Sequence, residues 1–231
     1  MHQLIGKKKI IFFYIILFIF LNTQITNNQN FAKESLIKVK KIEVFGLSKK
    51  NNSKVSESLS SLLSQNIFFV KKNYLNKILN QNSLIEYFNI KKIYPDVIKV
   101  YIKKAEFLAI TNKNNKRYFI GSNGKLTPVK EFKNFNKKLP YVFTKNKYKN
   151  FVNLKKIIDK SKFEFKEIEV FYYFPSNRWD IKTKKGLFIK LPEKNVFQSL
   201  ELAYVINNNE EFNKNKIIDL RKSNYIITSN E

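Results

Sequence analysis

The chain contains no cysteine, and its single histidine is His2, beside the initiator methionine. Without cysteine there can be no disulfide, zinc–thiolate site or thiol nucleophile. Without histidine past position 2, no Ser-His-Asp triad, histidine-built metal cluster or imidazole acid/base can work in the body of the chain. Glycine is scarce too, five in 231 residues, and none belongs to a Gly-rich phosphate loop. Arginine is the third shortage: of 44 basic residues, 41 are lysine and only Arg117, Arg178 and Arg221 are arginine. Readers of base edges and phosphates favour the guanidinium fork. The lysines are also spread through every segment rather than gathered on one stripe. The net charge of +26, with 30 asparagines beside it, therefore reads as a solvated lysine-rich surface and not as a nucleic-acid code.

What is present begins with 43% hydrophobic residues, ample for a packed core. At the amino terminus Lys7, Lys8 and Lys9 precede an unbroken apolar run over 10–21, closed by Asn22, Thr23 and Gln24. As a helix, such a run rises only about 18 Å against a hydrocarbon core of about 30 Å. A span must therefore borrow Leu4 and Ile5 on one side or residues 23–26 on the other, with the lysines snorkelling outward. A cleaved signal peptide has the same start and apolar length. Against cleavage, no small-x-small pair follows the run; the nearest small residue is Ala32, beside Phe31. The reading preferred is an uncleaved transmembrane signal anchor over 10–26, with Ile10, Phe12, Ile16, Phe20 and Leu21 among its membrane residues. Lys7, Lys8 and Lys9 set its orientation by the positive-inside rule: 1–9 is a cytoplasmic tail and the bulk lies across the membrane.

A polar tether over 31–35 leads to a first unit. Residues 41–46 alternate, Ile42 and Val44 on one face, Glu43 and Phe45 on the other, with Gly46 as terminator, which predicts a strand. A helix is expected from about Ser53 as N-cap, its stripe Val55, Leu59, Leu62 and Leu63. Leu75, Ile78 and Leu79 mark a second helix. Residues 90–102 read as a hairpin turning at Tyr94-Pro95-Asp96. The order is β-α-α-β-β.

The second unit is richer in strands. Tyr118 and Ile120 flank Phe119, Ser122-Asn123-Gly124 supplies a turn, and Leu126 begins the return. Helices are expected over 151–160 and 195–206, and strands around 168–172, 179–183, 187–191, 217–220 and 225–228. The fold class is α+β: an amino-terminal transmembrane helix, a βααββ module, then a mixed β-rich domain with flanking helices. Chemistry is sparse. Glu164, Glu167 and Glu169 cluster in sequence, the last two placed to share a strand face, but no other sugar-site signal accompanies them. Glu210 and Glu211 lie in an asparagine-rich stretch.

Several strings, in their order, carry a family resemblance. They are Val39-x-x-Ile42-x-Val44-x-Gly46, the hairpin Ile90-Lys91-Lys92-Ile93-Tyr94-Pro95-Asp96-x-Ile98-x-Val100, and Tyr118-Phe119-Ile120-Gly121-Ser122-Asn123-Gly124. Arg178-Trp179-Asp180-Ile181, Gly186-Leu187-x-Ile189-x-Leu191-Pro192 and Ile218-Asp219-Leu220-Arg221 follow. With one amino-terminal anchor ahead of them, they resemble the bacterial cell-division family FtsQ/DivIB over essentially the whole chain. The resemblance implies a POTRA domain at 37–104 and a β domain at 105–231. It also implies a non-enzymatic scaffold, without cofactor or metal, in the inner membrane at the division septum. Its implied partners are FtsB and FtsL-like coiled-coil proteins and other divisome membrane proteins, with no nucleic acid. The family's partner-binding edge corresponds here to 219–228, with Asp219, Leu220, Arg221, Tyr225 and Ile227 as candidate residues. An unpaired strand edge offers backbone donors and acceptors to an incoming strand. Arg221 would then pair an acidic partner and Tyr225 and Ile227 would supply apolar contacts, or all three pack internally. Lys222 and Tyr225 depart from the family pattern, which commonly has an aromatic residue and a glycine there. The competing implication is a POTRA-type polypeptide binder of envelope assembly or secretion, against which stands the lack of repeated barrel-strand segments.

Overall fold

The computed structural model describes residues 7–26, 37–132, 135–209, 216–222 and 225–229. The amino-terminal helix α1 is Lys7–Thr26, 20 residues long. Ile10, Phe12, Ile16, Phe20 and Leu21 are all exposed along it. Among the described residues, no helix is long and apolar enough to cross a membrane. In α1 the limit is the apolar run itself, residues 10–21, bounded by lysines on one side and by Asn22 and Gln24 on the other. Helix α1 covers the 10–26 expected as a span, and its unbroken apolar part, 10–21, is shorter than a bilayer core. Leu4, Ile5, residues 31–35, Glu210 and Glu211 lie outside the described residues, as do residues 1–6 of the tail.

The first module has the expected order: β1 (Lys41–Phe45), α2 (Lys49–Ser58), α3 (Lys72–Gln81), β2 (Ile85–Ile93) and β3 (Val97–Lys104). Its three-stranded sheet runs β1-β3-β2, with β1 parallel and β2 antiparallel to the central β3. Helix α2 begins earlier than Ser53. Asn52 bonds both backbone groups of Leu47, accepting from its N–H at 3.1 Å and donating to its carbonyl at 3.2 Å, and this reciprocal pair sets the start at Lys49. Ser53 lies inside the helix and donates to the Lys49 carbonyl. The helix also ends before its apolar stripe does: Leu59 and Leu62 reach the core from the following tight turn, and Leu63 is exposed. Gly46 has φ +110°, and a Cβ there would stand 1.8 Å from the Ile102 carbonyl oxygen, so the close approach of β1's end to β3 requires glycine.

The second domain comprises β4 (Phe107–Lys113), β5 (Lys116–Gly121), β6 (Leu126–Pro128), β7 (Tyr141–Phe143), α4 (Tyr148–Ile158), β8 (Ile168–Tyr173), β9 (Trp179–Thr183), β10 (Phe188–Lys190), α5 (Val196–Asn207), β11 (Ile217–Asp219) and β12 (Ile227–Ser229). They form one sheet in the order β12-β11-β10-β9-β8-β7-β4-β5-β6. Strands β4 and β7 were not anticipated from sequence; β7 has three residues and owes its place to parallel pairing with β4 and β8. Val142, Phe171, Ile181, Ile189 and Ile218, one on each successive strand, join Phe151, Leu154 and Ile158 of α4 and Leu200 and Ala203 of α5 in a single buried core. The alternate positions face away from these helices. There Phe143 stacks on Tyr172 at 5.4 Å and Tyr172 on Phe188 at 6.1 Å.

The domains meet at the β5–β6 turn. Asn123 donates from Nδ2 to the carbonyls of Ser83 and Ile85 at 2.9 and 2.8 Å, and Thr127 bonds Ser83 through their hydroxyls at 2.9 Å. Beside this seam Leu84 packs with Phe107 and Phe119, whose rings stack at 4.4 Å.

Candidate partner-binding edge

Strand β12 closes one end of the nine-stranded sheet. It pairs antiparallel with β11, Asp219 opposite Ile227 and Ile217 opposite Ser229. No strand among the described residues lies on its other side. Tyr225 and Ile226, which lead into it, and Ile227, its first residue, are 69%, 49% and 55% exposed. A groove of about 370 Å³ runs beside them, lined by Pro192, Ser199, Leu202, Lys222, Tyr225 and Ile226. Helix α5 is apolar nearly all round. Its Leu200, Ala203 and Ile206 are buried, while Leu202 and Val205 are exposed on the outer side. A helix with such a composition is ordinarily covered on every side.

The candidate residues separate into two groups. Tyr225 and Ile227 are available on the surface. Asp219 and Leu220 are not: Leu220 belongs to the buried core, and Asp219 sits on β11, an interior strand, at 8% exposure. Arg221 does not reach outward to an acid but folds back onto Asp219. Its backbone N–H donates to Oδ1 at 3.1 Å, Nε donates to Oδ1 and Oδ2 at 2.8 and 2.9 Å, and Nη2 donates to Oδ2. Burial acts most strongly on the Asp219 carboxyl and would raise its pKa. The Arg221 hydrogen bonds, with the charges of Arg221 and Lys190, outweigh burial and hold it below the usual value.

Sequence reasoning did not single out Asp180 and Lys190 as a set with Asp219. Cross-strand register puts Lys190 of β10 opposite Asp180 of β9 on one side and Asp219 of β11 on the other. Asp180 is 7% exposed and its Oδ1 has no hydrogen-bond partner; the Arg178 Nε is 4.0 Å away and is also unpartnered. Burial is the main cause that raises the Asp180 pKa, opposed by Arg178, Arg221 and Lys190. Two of the three arginines thus serve a charged ladder beside the sheet edge. Ile226, Leu202 and Val205 were likewise missed; the available signal was their position off the buried stripe of otherwise apolar segments.

The carboxylates that cluster in sequence are separated in the fold. Glu167 ends a tight turn instead of sharing a strand face with Glu169, which pairs with Lys182 at 3.4 Å. Among the described residues no group of three or more histidine, cysteine or carboxylate side chains is placed to hold a metal. A hollow of about 700 Å³ between the two domains, lined by Ser48, Lys50, Lys54, Lys104, Lys130 and Phe132, contains one carboxylate, Glu131.

The two modules match two family models: the FtsQ-type POTRA domain over 37–104, and the carboxy-terminal domain of the cell division protein FtsQ/DivIB over 109–221. The chain belongs to the FtsQ/DivIB family. FtsQ/DivIB membership gives it a role in cell division. A search of curated proteins finds no match. The FtsQ/DivIB carboxy-terminal match ends at Arg221, so Tyr225, Ile226 and β12 lie just past it.

Proposed function

We propose that the protein is a non-enzymatic division scaffold whose β12 edge receives a strand from a small coiled-coil division protein of the FtsB or FtsL kind, so connecting early and late members of the septal assembly. The observation that carries this reading is an end strand, with no further strand beside it among the described residues, next to an exposed apolar surface: Tyr225, Ile226 and Ile227 on the strand side, and Leu202 of α5 across the groove. Strand addition supplies main-chain hydrogen bonds, and alternate side chains in the adjoining groove supply specificity. Asp219, Arg221 and Lys190 support the β10–β11 pair on which β12 is laid and do not contact the partner directly.

In this reading α1 holds the protein in the inner membrane, with Lys7, Lys8 and Lys9 on the cytoplasmic side and the two folded modules across it. Its short apolar run is accommodated by lysine snorkelling and local bilayer thinning. The test is binding of the full-length protein to its FtsB-like partner, with Tyr225→Ser and Ile227→Ser combined. Both side chains are exposed, so the fold should survive. A loss of affinity of about tenfold or more, equivalent to about 1.4 kcal/mol, is expected, with unchanged circular dichroism. Affinity equal to the parent's would remove the edge from the interface. Depletion of the protein should give filamentous cells, and a fluorescent protein on the amino terminus, remote in sequence from β12, should mark midcell.

A further inference from the structure

At the pole of the POTRA module where the chain arrives from α1, the structure displays an aromatic knob that the division role does not use. Phe69 is 80% exposed, more than any other large apolar side chain among the described residues, and Phe68 and Tyr94 beside it are 56% and 55% exposed. The knob is held firmly. Ile67 and Val70 on either side of it are buried in the module's core. Asn66 accepts the N–H of Phe68 on its side chain and that of Phe69 on its carbonyl, both at 3.0 Å. The Phe68 ring stacks on Tyr94 with centroids 4.9 Å apart, and Lys92 Nζ donates to the Phe68 carbonyl at 3.3 Å. A fixed, solvent-facing aromatic pair of this kind is costly to leave in water and marks an interaction surface.

Two observations select the occupant. The first is position. Ile37 accepts the N–H of Ile67 at 2.9 Å, and Lys38 bridges antiparallel to Asn66, so the arriving chain lies directly against the base of the knob. Ten residues, 27–36, separate this point from the end of α1, a covalent reach of at most about 35 Å. The second is charge. Lys38, Lys71 and Lys72 are exposed around the knob, Lys92 lies under it, and Asp96 nearby is already paired with Lys40 at 3.6 Å. Aromatic rings surrounded by lysines, tethered to an apolar helix, match the headgroup layer of a membrane: rings at the apolar–polar boundary and ammonium groups on lipid phosphates.

We propose that Phe68, Phe69 and Tyr94 insert into the interface of an anionic bilayer, with Lys38, Lys71 and Lys72 on its phosphates, and that this contact sets the POTRA module against the membrane. The inference rests on α1 being held at the bilayer. Docking here would fix how far the β12 edge stands from the membrane, and therefore which segment of a membrane-anchored partner can reach it.

Because the chain has no cysteine, a single Phe69→Cys substitution gives a unique site for a polarity-sensitive fluorophore. A matched probe at Lys185→Cys, in the β9–β10 turn of the other domain, serves as reference. Full-length protein is reconstituted in vesicles of phosphatidylethanolamine and phosphatidylglycerol, floated, and exposed to lipids carrying a nitroxide quencher. Flotation, with quenching several-fold stronger at position 69 than at 185, is expected. That excess should fall when Lys71→Gln and Lys72→Gln are added or when phosphatidylcholine replaces both lipids. Protein that floats but is quenched equally at the two positions overturns the docking, leaves α1 as an anchor and turns the knob into a site for a protein partner. Protein that fails to float overturns both readings.

Discussion

The two modules distribute their aromatic residues in opposite ways. The buried core of the POTRA module is wholly aliphatic, built from Val39, Val44, Val55, Leu59, Leu62, Ile67, Val70, Leu75, Leu79, Ile85, Ile98, Val100 and Ile102. Its Phe45, Phe68, Phe69, Tyr87, Tyr94 and Tyr101 are exposed. In the β domain, Tyr148, Phe151, Phe163, Phe171 and Trp179 fill the centre between the sheet and its two helices. Apart from Phe88, which packs half-buried against that core, the aromatic side chains named in the first module are surface features, and in the second domain they are mostly structural.

The largest effect expected from this contrast is on the β-domain core. Phe171→Ala, at a fully buried position touching Phe151 and Trp179, should cost about 3–5 kcal/mol in denaturant unfolding. The next test breaks the boundary. Asn123→Ala removes both bonds to Ser83 and Ile85, and should cost about 1–3 kcal/mol and convert one calorimetric transition into two.

The charged ladder gives an effect of similar or smaller size with a sign that depends on pH. Asp219 is held below its ordinary value of 3.8, so its contribution is present above that value and is lost as pH falls through the lower folded-state value. Asp219→Asn should cost about 1–2 kcal/mol at neutral pH and much less in acid. Asp180 behaves oppositely. Its raised pKa means that the ionised form weakens the fold, a penalty that grows as pH rises from 3.8 through the folded-state value. Asp180→Asn should therefore stabilise at neutral pH, and thermal melts across pH would separate the two carboxylates. The smallest effect is at the POTRA knob, where Phe69→Ser should change stability by less than about 0.5 kcal/mol, unlike any ring in the β-domain core.

Much of the architecture was legible in the chain. The βααββ order, the Pro95 hairpin, the Ser122-Asn123-Gly124 turn and both β-domain helices rest on period, turn chemistry and apolar spacing, which are local. What escaped was non-local. Strand β7 is three residues whose identity depends on β4 and β8 lying either side of it. The start of α2 depended on Asn52 reaching back to Leu47, not on the more conspicuous Ser53. The candidate edge divided for the same reason. Tyr225 and Ile227 were readable as apolar residues near the end of the chain, but Asp219 and Leu220 became interior once β12 added outside β11.

Composition alone removed cysteine and histidine chemistry, because a missing side chain cannot be supplied by folding. Periodicity alone marked the two modules and the short apolar helix before them, because burying one face of a helix or strand requires that spacing in any fold. Only the tertiary structure decided that Arg221 closes on Asp219, that β12 is the end strand of the sheet among the described residues, and that Phe68 and Phe69 stand exposed where the chain arrives from α1. Each of these depends on which strands become neighbours, a relation between segments distant in the chain that local patterning does not encode.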